Sequence, residues 1–201
     1  MSKLTIYGDT ISGNCLKAKW VAERLRIPFD WKETSVVAGE TRTPAFLALN
    51  PWGQVPFVVL ADGRGLAQSN AIMLHLAEGS ALIPGDAYDR AKMFEWLFWE
   101  QYSHEPTIAV RRFRVTFQRL RGDERDRELE TRGNAALKRM DEALAGRRYF
   151  VGDALTLADI ALVAYTRWAG DGDYDLAAFP HVGSWIARVE GDLGLRAEDA
   201  R

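Results

Sequence analysis

The sequence has 201 residues, 47% of them apolar and 27% charged, with a formal net charge of −2. That length holds one large domain or two small ones around a real core, and the near-neutral balance gives no reason to expect a nucleic-acid partner. Cys15 is the only cysteine, which excludes an internal disulfide and a cysteine-cluster metal site, and no apolar run approaches the roughly 20 residues of a membrane span, so a cytoplasmic protein with no membrane partner and no metal is expected.

The first 78 residues alternate strand and helix patterns. Residues 4–7 read as a β-branched strand. Residues 14–26 read as a helix with Cys15, Ala18, Val21, Ala22 and Leu25 on one face. Ile27-Pro28 ends that helix, because the residue before proline is pushed out of the helical region. Residues 29–34 read as a second strand and residues 43–49 as a short helix. Residues 57–60 and 65–67 flank the turn dipeptide Asp62-Gly63 and predict a hairpin. Residues 69–77 predict a third helix. The order βαβ, α, ββ, α implies a mixed four-stranded sheet with helices on both faces.

Residues 79–87 read as a linker, with Pro84-Gly85 and with Asp86 able to cap the next helix. Strand signals nearly vanish beyond it. Residues 88–118 form a long helical pattern interrupted or kinked at Pro106, and residues 123–144 a second, charge-rich helix. Thr156 with Asp159 three residues on is a capping signature before an apolar helix over residues 160–168. A last helix covers residues 181–189, after Pro180. The expected organisation is therefore an α/β domain at 1–78, a linker at 79–87 and an all-helical domain at 88–201.

Three stretches carry chemistry. Ser12-Gly13-Asn14-Cys15 lies where the first strand hands over to the first helix, and a helix start favours an anion such as a thiolate. Ser12 is either a plain cap or a donor to that anion. Cys15 is either a small core residue or a thiol activated by the helix terminus. Asn50-Pro51-Trp52-Gly53-Gln54-Val55-Pro56 is a turn running into a short strand, and its backbone suits pairing with a peptide-like ligand. Gln68-Ser69 opens an apolar helix, where Ser69 either caps it or, with the next N–H groups, holds a carboxylate. In the second half, Phe94, Trp96, Phe98, Trp99 and Tyr102 crowd one helix and read mostly as core. Tyr102, His104 and Arg111 are candidates for the polar rim of an apolar pocket. The arginines between 111 and 132 interleave with acidic residues and read as a solvated, ion-paired face.

Taken together these motifs resemble a cytosolic glutathione transferase over essentially the whole chain. The resemblance rests on residues 50–56, on Gln68-Ser69-Asn70-Ala71-Ile72, on Pro84-x-Asp86 with Arg90-Ala91, and on Gly152 with Thr156-Leu157-Ala158-Asp159-Ile160. It implies a thioredoxin-like N-terminal domain, an all-helical C-terminal domain and a homodimer. It also implies glutathione as co-substrate, delivered as a thiolate to a small apolar electrophile or a disulfide. Val55, before a cis-proline at Pro56, would pair with the cysteine backbone of glutathione. Gln68 and Ser69 would hold its γ-glutamyl end, and Thr41 or Arg42 with Gln54 its glycine carboxylate. Ser12 falls at the activating hydroxyl position of serine-type members. Ser12-Gly13-Asn14 is most similar to the Thr-Pro-Asn pattern of bacterial nu-class members, with Asn14 where another bacterial class carries a catalytic cysteine. The same slot holds Cys-x-x-Cys in thioredoxins, so redox chemistry would have to use glutathione's own thiol or Cys15 alone. A glutathione-dependent disulfide or peroxide reductase and a non-catalytic interaction module of the same fold are the alternatives the resemblance leaves open.

Overall fold

The computed structural model describes residues 3–195. The described residues divide into two compact units, with the boundary between Ile83 and Pro84.

In the first unit, β1 (Leu4–Gly8), β2 (Phe29–Glu33), β3 (Phe57–Val59) and β4 (Gly65–Ala67) form one sheet in the order β2-β1-β3-β4. β1 and β2 are parallel, and the other two pairings are antiparallel. The parallel pair needs a crossover, supplied by α1 (Gly13–Arg24). α2 (Pro44–Leu49) precedes the hairpin and α3 (Ser69–Leu76) follows it. Alternation along the strands sorts the residues by face. Leu4, Ile6 and Val58 point to one side, where they pack with Ala18 and Ala22 of α1 and Ile72 of α3. Tyr7 and Phe57 point to the other, where Phe46 of α2 meets the Tyr7 ring edge-on at 6.0 Å. Helices therefore cover both faces of the sheet.

α1 ends two residues earlier than its apolar pattern predicts. Arg26 takes φ 55°, and Ile27 N–H reaches back to Ala22 O at 2.8 Å, a left-handed termination that turns the chain into Pro28.

The second unit is helical. It comprises α4 (Ala87–Trp99), α5 (Glu105–Phe113), α6 (Glu124–Leu144), α7 (Leu157–Thr166) and α8 (Pro180–Leu193), with short helical turns between them. The expected kink at Pro106 is absorbed upstream, in a π turn at Glu100–His104. Proline removes one N–H and crowds the carbonyl four residues back, and widening the helix by one residue relieves both. A second π turn spans Arg114–Gln118. α7 is buried along its whole length. Its start is fixed by Asp159, which accepts from the Thr156 N–H and hydroxyl, both at 3.0 Å. Asp159 also accepts from Phe150 N–H at 3.1 Å and Trp185 Nε1–H at 3.0 Å. Burial pushes the Asp159 carboxyl up, while these donors pull it back.

Candidate active site

The strand register assembles the candidate residues. Tyr7 lies opposite Phe57, and Phe57 opposite Ala67, so these three residues form one row across the sheet. β1 and β4 run out of that row and β3 runs into it. Residues after β1, before β3 and after β4 therefore emerge at the same end of the sheet. Those are Ser12 and Asn14, then Val55 and Pro56, then Gln68 and Ser69, three segments far apart in sequence.

The turn before β3 is stapled by Asn50, only 3% exposed. Its Nδ2 donates to Gln54 O at 2.8 Å, and its Oδ1 accepts from Trp52 N–H at 3.3 Å. Gly53 sits inside the turn with φ 59°, and a Cβ there would lie 2.7 Å from the Arg42 guanidinium and 3.0 Å from Thr41 O. Only glycine lets the 40–42 turn close on residues 50–56. This packing brings Thr41, buried, beside Gln54, exposed, next to the cis Val55–Pro56 bond.

At the start of α1, Ser12 is the N-cap by its backbone, but its side chain makes no capping bond. Its hydroxyl instead hydrogen-bonds the Cys15 thiol. Cys15 is fully buried, and desolvation pushes its thiol up to about 12, overriding the pull of Ser12. Of the two readings of Cys15, the structure favours the core residue: a protonated, enclosed thiol is a poor nucleophile. The loop before α1 is tied by Asp9, whose carboxylate accepts from Ile11 N–H at 3.1 Å and Val36 N–H at 2.7 Å.

Asn14 connects two helix starts. Its Oδ1 lies 3.1 Å from Ser69 Oγ at the head of α3 and 2.8 Å from Lys17 Nζ one turn further along α1. The first N–H groups of a helix have no intrahelical acceptor, so two such termini meeting at one polar cluster favour an anion there. Gln68 precedes α3 with φ 71° and ψ 113°, and Ser69 is 6% exposed. Lys17 was not legible as part of this cluster: a lysine inside an amphipathic helix reads as surface, yet this one is fully buried.

The three candidates from the second half are dispersed. Tyr102 is 83% exposed. His104 is buried, with Nε2 at 2.8 Å from Thr166 Oγ1. Thr166 spends its own proton on Leu162 O at 2.7 Å, so His104 Nε2 is the protonated nitrogen. Arg111, 4% exposed, binds the Asp126 carboxylate through Nε at 2.9 Å and lies 3.5 Å from Glu130. Its guanidinium also stacks 5.0 Å from the Tyr174 ring centre. The sequence reading placed His104 and Arg111 on a pocket rim. Both are buried, and Arg111 pairs with two of the acidic residues that interleave with the arginines of 111–132.

A cavity of about 440 Å³ opens at the opposite end of the sheet, between Leu4, Ile27, Leu60 and Leu76, away from the polar cluster. Among the described residues, no group of three or more His, Cys, Asp or Glu could hold a metal ion, and no helix is long and apolar enough to cross a membrane.

A thioredoxin-like unit followed by a helical unit, with two helix starts converging on a polar cluster at one sheet end, defines a two-unit α/β plus all-α class of protein with an anion-favouring candidate site. Comparison with known proteins narrows it. The family model described as glutathione S-transferase, N-terminal domain, matches residues 11–78, and that for the C-terminal domain matches residues 98–192. The chain is 32% identical to glutathione S-transferase 3 of Zea mays over 92% of this chain and 88% of that protein. It matches the crystal structure of a glutathione S-transferase from Xanthobacter autotrophicus Py2 with a TM-score of 0.89 and 47% identity, covering 94% of this chain and 93% of that one. A glutathione S-transferase structure from Pseudomonas fluorescens Pf-5 gives a TM-score of 0.90 and 42% identity over 94% and 95% of the two chains. The chain belongs to the glutathione S-transferase family.

Proposed function

We propose that the chain is an asparagine-type, nu-like glutathione transferase that binds glutathione at this sheet end and conjugates it to an apolar electrophile. The observation that carries the reading is the Ser69–Asn14 hydrogen bond of 3.1 Å, which joins the starts of α3 and α1. A tripeptide with a thiol in its middle and a carboxylate at each end fits such a cluster. One carboxylate meets the first turn of α3 at Gln68 and Ser69. The backbone of Val55 pairs with the central residue. The other carboxylate lies toward Thr41, Arg42 and Gln54.

Asn14 is the principal donor to the sulfur. The Ser12 hydroxyl is turned toward Cys15, which leaves it the secondary role. A free thiol is mostly protonated at neutral pH, with a pKa of about 8.5. Donation from Asn14 and the field of the α1 start favour the thiolate. The proton leaves to solvent, the thiolate forms the carbon–sulfur bond, and the leaving group departs with its electron pair. Holding both partners at one site supplies the rest of the acceleration.

The protein is a homodimer in the cytoplasm. Phe94 and Phe98 of α4 stack with ring centres 6.3 Å apart, and Phe98 and Tyr102 are 72% and 83% exposed, an apolar stripe suited to a second copy. A single buried cysteine suits a reducing compartment.

The test is ultraviolet titration of the bound thiol together with turnover of an aryl halide. The reading expects a thiolate midpoint well below that of free glutathione, and conjugate formation. A midpoint equal to that of free glutathione would overturn it. Turnover of a small mixed disulfide with none of the aryl halide would replace the transferase with the reductase.

A further inference from the structure

The cavity at the far end of the sheet has no part in the chemistry proposed above. Its volume, about 440 Å³, falls within the roughly 300–1,000 Å³ of small-molecule sites. Its walls are the open end of the first unit's core. Leu4 is buried, while Ile27, Leu60 and Leu76 pack against the same cluster and stay partly exposed. Four element ends deliver them. Leu4 opens β1, Ile27 follows the left-handed Arg26 after α1, Leu60 follows β3, and Leu76 closes α3. The core holds these side chains in place, so the apolar slot is preformed.

The rim is polar and has a definite sense. Leu60 N–H donates to Arg64 O at 2.8 Å and Gly63 N–H to Leu60 O at 2.9 Å, which fixes the hairpin turn. Asp62 spends both carboxylate oxygens on Arg64. Its Oδ1 accepts from Arg64 N–H at 3.0 Å, and its Oδ2 from Nε–H at 2.7 Å, with Nη2 2.6 Å from the same Oδ2. A guanidinium has more N–H donors than this carboxylate takes, and the Arg64 side chain is 77% exposed. His75, in the last turn of α3, lines the same cavity and offers a ring N–H in either tautomer. The hydrogen-bonding capacity left at the rim is therefore donor capacity, set beside an apolar floor.

We propose that this cavity is a second ligand site, separate from the candidate active site, and that it takes a hydrophobic carboxylate. The ring or chain of the acid lies among Leu4, Ile27, Leu60 and Leu76, and its carboxylate meets Arg64 and His75. The planar guanidinium fork matches a carboxylate. A cation would meet Arg64 with the Asp62 carboxylate already taken, and a neutral apolar molecule would leave the rim donors unused. Because Arg64 is exposed, the apolar floor supplies most of the affinity and the carboxylate contact supplies the selectivity.

The experiment titrates 2-naphthoate and its neutral counterpart 2-naphthamide into the full chain by calorimetry, with and without glutathione. The parent is expected to bind 2-naphthoate with a Kd of order 0.1 mM, and the amide about fivefold more weakly. Arg64→Leu, at an exposed position, is expected to bring the acid down to the affinity of the amide and to leave the amide unchanged. Leu60→Trp, which narrows the cavity, is expected to weaken both about tenfold, with a thermal melt as folding control. A parent that binds neither probe overturns the proposal. So does equal affinity for acid and amide, or a folded Leu60→Trp protein that keeps the parental affinities. A Leu60→Trp protein that keeps those affinities but changes mass in light scattering marks the cavity as a contact between copies, which also overturns it. If Leu60→Trp does not fold, a parent crystal soaked in 2-naphthoate decides. A ring between Leu60 and Leu76 with its carboxylate within about 3.5 Å of Arg64 supports the proposal, and a ring bound only elsewhere overturns it. None of these results depends on thiol chemistry, so the transferase reading stands or falls separately.

Discussion

At the scale of single residues, the candidate site separates two polar side chains, a hydroxyl and an amide, that both sit at the start of α1. Ser12 and Asn14 are two residues apart, yet one faces the Cys15 thiol and the other faces Ser69 and Lys17. Asn14→Ala is therefore expected to reduce kcat/KM about a hundredfold, as for loss of one oriented donor to a developing anion, and Ser12→Ala by less. Steady-state rates of the two variants with one aryl halide check the ranking; an equal or larger loss at Ser12 would reverse it. Cys15 gives a second prediction. Its thiol is enclosed and pushed up to about 12, so it stays protonated at neutral pH. Alkylation by iodoacetamide should follow the rate of unfolding, not the rate of the free thiolate, and labelling in seconds under native conditions would contradict the burial. The sequence made Ser12, Asn14, Val55 and Ser69 visible because their places follow from turn and helix-start chemistry. Lys17 stayed hidden because nothing local distinguishes a buried lysine from a surface one, and its neighbour Asn14 is tied to Ser69, 55 residues away.

At the scale of elements, most of the secondary structure was legible, since apolar period, prolines and caps agreed. The Thr156–Asp159 signature marked the start of α7 correctly. What it did not reveal is that Asp159 also serves Phe150 and Trp185, which tie α7 to the preceding loop and to α8. Asp159→Ala leaves these buried donors unsatisfied and should cost about 3–5 kcal/mol, read from the urea midpoint. The long helix predicted over 88–118 hides its two π turns, because a one-residue change of register leaves no mark in a periodicity of 3.6. Within α6, Gly133 opposes a simple propensity argument. Alanine is the better helix former by about 1 kcal/mol. A Cβ there would fall 2.1 Å from the Tyr174 hydroxyl, which is anchored on Leu129 O at 2.8 Å. Gly133→Ala is thus expected to destabilise by about 1–3 kcal/mol, the range for overpacking, and a raised melting temperature would show that the Tyr174 ring moves freely.

At the scale of the whole molecule, acid stability has a locatable source. Hydrogen bonds from Arg111 and from Gly122 N–H hold the buried Asp126 carboxyl below the usual carboxylate range. The unfolded chain then takes up the proton first as pH falls, so this contribution is complete above about pH 5 and fades through the folded-state pKa, below about 3.9. Asp126→Asn should flatten the acid limb of a stability–pH curve; an unchanged slope between about pH 5 and pH 2 would place the dependence elsewhere. Light scattering tests the proposed homodimer, with Phe98→Glu expected to yield monomers and an unaffected mass arguing for another interface.

Gln68 carries one last consequence. With φ 71° and ψ 113° it occupies a region that residues with a Cβ avoid, at a cost of order 1–3 kcal/mol. Glycine would relieve that strain, less about 1 kcal/mol of extra freedom in the unfolded chain. A variant library screened only for heat tolerance should therefore enrich Gln68→Gly, and with it lose the amide proposed to meet the ligand. On the proposed function, stability and recognition pull this one position in opposite directions, so a thermal screen run without a glutathione-binding step would discard a side chain the proposed site uses.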